Sequence, residues 1–146
     1  MKKRIQRQEA IREIVRKKRI RTQHELVDIL VSEGYRCTQA TVSRDVDELK
    51  LTKSNGGYYV LAEDQHLQRM VHDLADKISR AGNLVMVHTQ GGTAPGVAAA
   101  IDRAGLDGIL GTVSGDTALL AVCADEDKAI ALEEELQYYT GGITSD

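Results

Sequence analysis

Residues 38–51 read TQATVSRDVDELKL, and the way this stretch divides into an apolar and a polar side decides the fold. Val42, Val46 and Leu49 recur at the i, i+4, i+7 spacing of one helical face. Thr38, just ahead, can accept a hydrogen bond from an orphan N–H at the helix start. Gln39, Thr41, Ser43, Arg44 and Asp47 are left outward or flanking. The apolar side must dock on its own domain, which leaves short hydrogen-bonding side chains and an arginine facing outside. An amphipathic surface helix in a protein-interaction module would read the same way to this point.

The flanking sequence separates the two readings. Upstream, Ile5, Ile11, Ile14 and Val15 fall on one face of a first helix, which the basic run KKRIR ends. Thr22 and Glu25 stand at capping-box spacing. Leu26, Ile29 and Leu30 follow as the buried face of a second helix, and Gly34 suits a left-handed helix end. Downstream, LKLTK and YYVL flank SNGG, whose Asn-Gly pair predicts a hairpin turn with positive φ at both central residues. Three short helices and a β-hairpin are the order of a winged helix-turn-helix. In that arrangement the outward face of the third helix enters the major groove. Arg44 can pair bidentately with guanine, while Gln39, Thr41 and Ser43 can bond base edges or phosphates. Lys53, in the wing, completes the expected DNA-contacting set.

Charge supports the same division. Residues 1–60 hold 14 Lys/Arg against 8 Asp/Glu, whereas residues 61–146 hold 5 against 14, within a net charge of −3. Ten of the cations lie in residues 1–21. A basic half joined to an acidic half fits a polyanion-binding module on a separate platform. Two solvated surfaces with no charged partner would be the plainer account.

Several functions find no support. Cys37 and Cys123 are too far apart for a zinc site and read as reduced thiols. His24, His66, His72 and His88 show no metal spacing, and no catalytic constellation emerges, so neither a metal nor an enzyme is expected. No apolar run approaches the ~20 residues that span a bilayer, and a cytoplasmic location is expected by default.

In the second half, Leu67, Met70, Val71, Leu74 and Ile78 continue a helical periodicity that Gly82 stops. LVMVHT reads as a buried strand, QGGTAPG as a loop and VAAAIDRAG as a small-residue helix. GILGTVS and ALLAVCA read as strands around Gly115, Asp116 and Thr117. Residues 128–138 close as a helix burying Ala129, Leu132 and Leu136. The expected order is α, β, α, β, β, α with a largely antiparallel sheet. QGGTAPG lacks the Gly-Lys-Ser/Thr ending of a phosphate loop. A tight strand-to-helix turn with Pro95 at the first helical position accounts for it better.

TQHELVDIL, TQATVSRDVDELKL, the wing and GILGTVSGDT together resemble the bacterial arginine repressors over nearly the whole chain. The resemblance implies a winged-helix DNA-binding domain and a C-terminal domain that trimerises, two trimers stacking into a hexamer around L-arginine as corepressor. It matches Ser43 and Arg44 to the family's DNA-contacting pair and Asp116 to the first Asp of its ligand-binding turn. The fold class expected is α+β. A winged helix-turn-helix domain covers 1–62, a linker 63–68, and a small α/β oligomerisation and arginine-binding domain 69–146.

Two departures bear on the ligand. Thr117 stands where the family usually has a second Asp, and Pro95 where many members have a Gln that helps hold the ligand. Asp102, Thr112, Asp116 and Thr117 form the expected ligand-binding set, against the plainer reading of Asp102 as a helix-end residue and Asp116 as a turn residue. The function expected is a DNA-binding regulator that represses arginine biosynthesis on a double-stranded operator, as a homo-oligomer, trimer or hexamer. The alternative is an interaction subunit working with a paralogous repressor or another small ligand, with weak or no arginine response.

Overall fold

The computed structural model describes residues 2–141, so Met1 and residues 142–146 of the expected domains lie outside it. The chain forms two compact units whose boundary falls between Ala62 and Glu63.

In the first unit, helix α1 (Lys2–Lys17) buries Ile11, Ile14 and Val15. Ile5, expected on the same buried face, is 66% exposed, because it lies nearly two turns before Ile11 and past the edge of the core. Helix α2 (Gln23–Ser32) starts where the Thr22 hydroxyl accepts from the Glu25 amide at 3.1 Å. It ends on Gly34 at φ 95, with Tyr35 N donating to Leu30 O at 3.0 Å and Gly34 N to Val31 O at 3.0 Å. That pair of bonds is a Schellman closure, which needs the left-handed residue glycine supplies. Helix α3 (Gln39–Glu48) is capped by Thr38 and buries Val42 and Val46, with Leu49 buried just past its end.

Strands β1 (Leu51–Lys53) and β2 (Tyr59–Leu61) pair antiparallel and set the buried Leu51 opposite the buried Leu61. The wing turn differs from expectation. Ser54 N donates to Tyr58 O and Gly57 N to Ser54 O, and positive φ falls on Gly57 (82°), not on Asn55 or Gly56. Ser54 and Tyr58 thus close a three-residue loop with a left-handed third residue, which lets the second glycine carry the bend.

Lys50 links α3 to β1 at φ 55, the one non-glycine with positive φ among the described residues. A left-handed lysine costs about 1–2 kcal/mol, and the extra unfolded-state freedom of glycine costs about 0.5–1 kcal/mol. Lys50→Gly should therefore stabilise this unit by roughly 0.5–1 kcal/mol in urea unfolding.

The second unit contains α4 (Ala62–Leu74) from its second residue on, β3 (Ala75–Ala81), β4 (Leu84–Thr89), α5 (Ala94–Ala104), β5 (Ile109–Ser114), β6 (Ala118–Cys123) and α6 (Glu126–Thr140). Residues 63–68, expected as a linker, lie within α4, whose Leu67 and Val71 are buried. The helix expected to run through Ile78 stops at Leu74, and Ile78 sits in β3. In this edge strand Ile78 is the single buried residue, so its apolar pattern is too sparse to compete with the helical period, while pairing with β4 across Gly82 and Asn83 settles the conformation. The strand order is β3-β4-β6-β5, every neighbour antiparallel. Pro95 takes the second position of α5, one later than expected.

Alternation divides the sheet. Val85, Val87, Leu119 and Ala121 are buried with residues of α4, α5 and α6. Across the strands Met86 pairs with Leu120 and Leu120 with Val113, while Leu84 pairs with Val122. These side chains form an apolar opposite face, half-buried on the inner strands. On the edge strand β5, Leu110 is 72% and Val113 69% exposed.

Candidate nucleic-acid interface and ligand-binding turn

Helix α3 presents Gln39, Arg44 and Asp47 exposed, with Thr41 and Ser43 half-buried beside them. Gln39 Nε2 donates to Gln23 Oε1 at 2.7 Å, which ties the starts of α2 and α3 together. Thr41 is drawn into the cap, its amide 3.3 Å and its hydroxyl 3.1 Å from Thr38 Oγ1. Lys53 donates from Nζ to Arg21 O at 2.5 Å and lies 5.0 Å over the Tyr59 ring. Its head is held along the wing, where two further N–H donors remain for a phosphate.

The wing is braced by the segment between α1 and α2. Ile20 O accepts from Tyr59 N at 2.8 Å, Arg21 Nη1 donates to Gly56 O at 2.6 Å, and the Arg19 guanidinium lies 5.1 Å over the Tyr58 ring. Part of the basic cluster in residues 1–21 is thus engaged within the domain.

A residue absent from the sequence-based site set proves central to how α3 sits. Asp45 is 1% exposed. Arg7 of α1 donates to both its oxygens, with Nη2 to Oδ1 at 3.0 Å, and Gln8 Nε2 donates to Oδ1 at 3.0 Å. Gln8 Nε2 also reaches Glu48 Oε2 at 2.9 Å, and Arg4 pairs with the same carboxylate. Burial raises the pKa of the Asp45 carboxyl, but the hydrogen bonds from Arg7 and Gln8 outweigh it and hold the group below the usual carboxylate range. The signal was present in the sequence, since positions 42, 45, 46 and 49 share the inward sector of a helix and one of them is an aspartate. Burial pushes both the Cys37 and Cys123 thiols up.

In the second unit the four expected ligand residues fall into two groups, one in the β5–β6 turn and one where α5 faces β5. Asp116 and Thr117 lie in the β5–β6 turn, closed by Gly115 N to Ala118 O at 2.8 Å. The turn packs on the QGGTAPG loop, where Ala94 N donates to Asp116 O at 3.4 Å, and on the end of β4, where Thr89 N donates to Thr117 O at 2.8 Å. A Cβ built on Gly92 would sit 3.9 Å from Asp116 Oδ1. Asp102 and Thr112 form the other group, the Thr112 hydroxyl 3.0 Å from each Asp102 oxygen. They line an open cleft of about 430 Å³ with Ile101, Leu106 and Ile109. Asp102 and Asp116 are both exposed, so each offers lone pairs that a guanidinium or ammonium could take. Among the described residues no cluster of His, Cys, Asp and Glu could hold a metal ion.

A helix-turn-helix with a braced wing and an outward arginine, followed by a small antiparallel α/β unit, defines a two-domain DNA-binding regulator. Comparison with known proteins specifies it. Family models described as "Arginine repressor, DNA binding domain" and "Arginine repressor, C-terminal domain" match residues 1–67 and 71–138. An arginine repressor of Bacillus licheniformis is 40% identical across 90% of this chain and 95% of its own. One from Bacillus subtilis is 38% identical over the same shares, and one from Symbiobacterium thermophilum 41% identical over 90% and 94%. The chain belongs to the arginine repressor family, DNA-binding transcriptional regulators and not enzymes.

Proposed function

We propose that this chain represses arginine-biosynthesis genes by binding a double-stranded operator as a homo-oligomer, trimer or hexamer, with L-arginine as corepressor. The exposed Arg44, beside Ser43 on a helix whose opposite side is fully docked, carries the reading. Gln39, Thr41, Ser43 and Arg44 meet bases and phosphates, and Lys53 adds a phosphate contact from the wing. The test is selection of duplexes from a random pool with the full chain and L-arginine. Recovery of a consensus supports the reading, and recovery without sequence preference contradicts it. No helix among the described residues is long and apolar enough to cross a membrane; the reading as an operator-binding repressor places the chain in the cytoplasm.

Residues 1–62 and 69–146 would be the working DNA-binding and ligand-binding domains, and α4 packs Leu67 and Val71 into the core of the second. The uncovered sheet face supports assembly: Leu84, Met86, Leu120, Val122 and Val113 form an apolar surface that one copy leaves open. Val113→Asp should weaken self-association at least tenfold, read by sedimentation equilibrium of the full chain. Unchanged assembly would place the interface elsewhere.

Asp102, Thr112, Asp116 and Thr117 bind the arginine. Asp116 supplies the carboxylate of the turn, whereas Thr117 brings only a neutral hydroxyl. Thr117→Asp should tighten L-arginine binding by about 1–2 kcal/mol in calorimetric titration, because a charged acceptor roughly doubles the strength of a hydrogen bond. Equal or weaker affinity would move the ligand off this turn. The alternative of a subunit dependent on a paralogous repressor gains nothing from the relatives, each of which is named as a repressor itself.

A further inference from the structure

Helices α1 and α3 are joined by contacts of two kinds. Ile11, Ile14, Val42 and Val46 belong to one buried cluster, and apolar packing of this sort is non-directional. The second contact has direction. Arg7 grips both oxygens of Asp45, Gln8 bridges Asp45 and Glu48, and Arg4 holds Glu48. Two parallel N–H···O bonds fix an angle as well as a distance. Asp45 is the next residue after Arg44, about 100° round the helix. A rotation of about 20° around the α3 axis would carry a side-chain tip roughly 6 Å from that axis by about 2 Å, beyond what a bidentate bond to a base tolerates.

We propose that Arg7 and Asp45 are positioning residues for sequence readout: their paired bond sets the rotation of α3, so that operator discrimination depends on two residues that touch no DNA. The inference rests on Arg44 reading bases. Arg7 is unsuited to the simpler role of a phosphate contact. Its side chain is 13% exposed, and its Nε and Nη2 are turned to Asp45.

A merely stabilising bridge makes a different prediction, and a paired replacement separates the two. Arg7→Met combined with Asp45→Leu removes both charges, leaves the net charge unchanged and fills the site with apolar groups, a kind of exchange that is often neutral or stabilising. The affinities of the full chain for a selected operator duplex and for a scrambled duplex of equal length are compared over a range of salt. The pair variant should melt at or above the parent temperature, while its operator-to-scrambled ratio falls about tenfold, the size of one lost base contact. Its affinity for the scrambled duplex and its salt slope should stay at the parent values. Arg7→Lys, which keeps the charge but offers no fork, should lose several-fold in the same ratio and decides the question if the pair variant does not fold.

Parent-like discrimination in a folded pair variant, or in Arg7→Lys where the pair variant does not fold, overturns the proposal. So does uniform weakening with a shallower salt slope, since that marks Arg7 as a phosphate contact. Arg44→Ala, measured alongside, separates the two levels. If it loses discrimination while the Arg7 variants keep it, positioning alone is wrong. If it keeps discrimination, the base-reading role of Arg44 is wrong and the positioning proposal falls with it.

Discussion

Asp45→Ala should destabilise the N-terminal unit by about 3–5 kcal/mol, the usual result of removing one partner from a buried ion pair. The cause is what remains behind. Arg7 loses both of its bonded acceptor oxygens and keeps only the Coulombic pull of Glu48, Gln8 loses an acceptor, and a small cavity opens beside Val42 and Val46. With its side chain 13% exposed, Arg7 can reach some water, which places the expected loss toward the low end. The pH dependence has a definite sign. Because the folded carboxyl lies below its ordinary value, its contribution is complete above the unfolded value of about 3.9 and fades as pH falls through the folded one. Asp45→Asn should accordingly flatten the acid limb of the unfolding curve below about pH 4 and leave its shape between pH 6 and 8 unchanged. Urea unfolding followed by circular dichroism across pH measures both effects, and a loss under 1 kcal/mol for Asp45→Ala would show the bridge to be solvated.

Arg44→Ala should cost about 1–3 kcal/mol of operator affinity and relax the sequence preference at one base pair. The exposed guanidinium can offer two donors to a guanine edge, a contact no alanine replaces. Affinity for random duplex should fall far less, because one base-directed cation contributes little to counterion release. Changes at the exposed Lys17 or Lys18 should do the reverse, weakening all sequences alike and lowering the salt slope. Arg4, Arg7 and Arg21 are withdrawn from that uniform class by their bonds to Glu48, Asp45 and Gly56. Competition of labelled operator by scrambled duplex reads the contrast, and equal losses on both duplexes would remove Arg44 from base readout.

What could be read from the residues follows the range of the interaction that decides each feature. The docked side of α3, its Thr38 cap and the glycine closure of α2 depend on residues within one or two turns, and all three are where the spacing places them. β3 reads as a continuation of the helix because its one buried residue, Ile78, also completes the helical period of α4. Only the pairing with β4 distinguishes the two, and no residue inside the segment records it. The wing turn was legible as a turn, but which glycine bends it depends on the bond from Ser54 N to Tyr58 O. Among the proposed site residues, Arg44 and Asp116 could be named from local motifs. Asp45 stood in an inward position, yet its partner lies 38 residues earlier. The packing of the Asp116 turn on the QGGTAPG loop likewise joins segments that sequence order keeps apart.

Operator affinity of the full chain with and without L-arginine, measured by fluorescence anisotropy against the same scrambled duplex, tests the central claim most directly. L-arginine should tighten operator binding about tenfold, an allosteric coupling of ordinary size, and Asp116→Ala should abolish the gain while leaving binding without arginine intact. Identical operator affinity with and without L-arginine would contradict the assignment of arginine as corepressor.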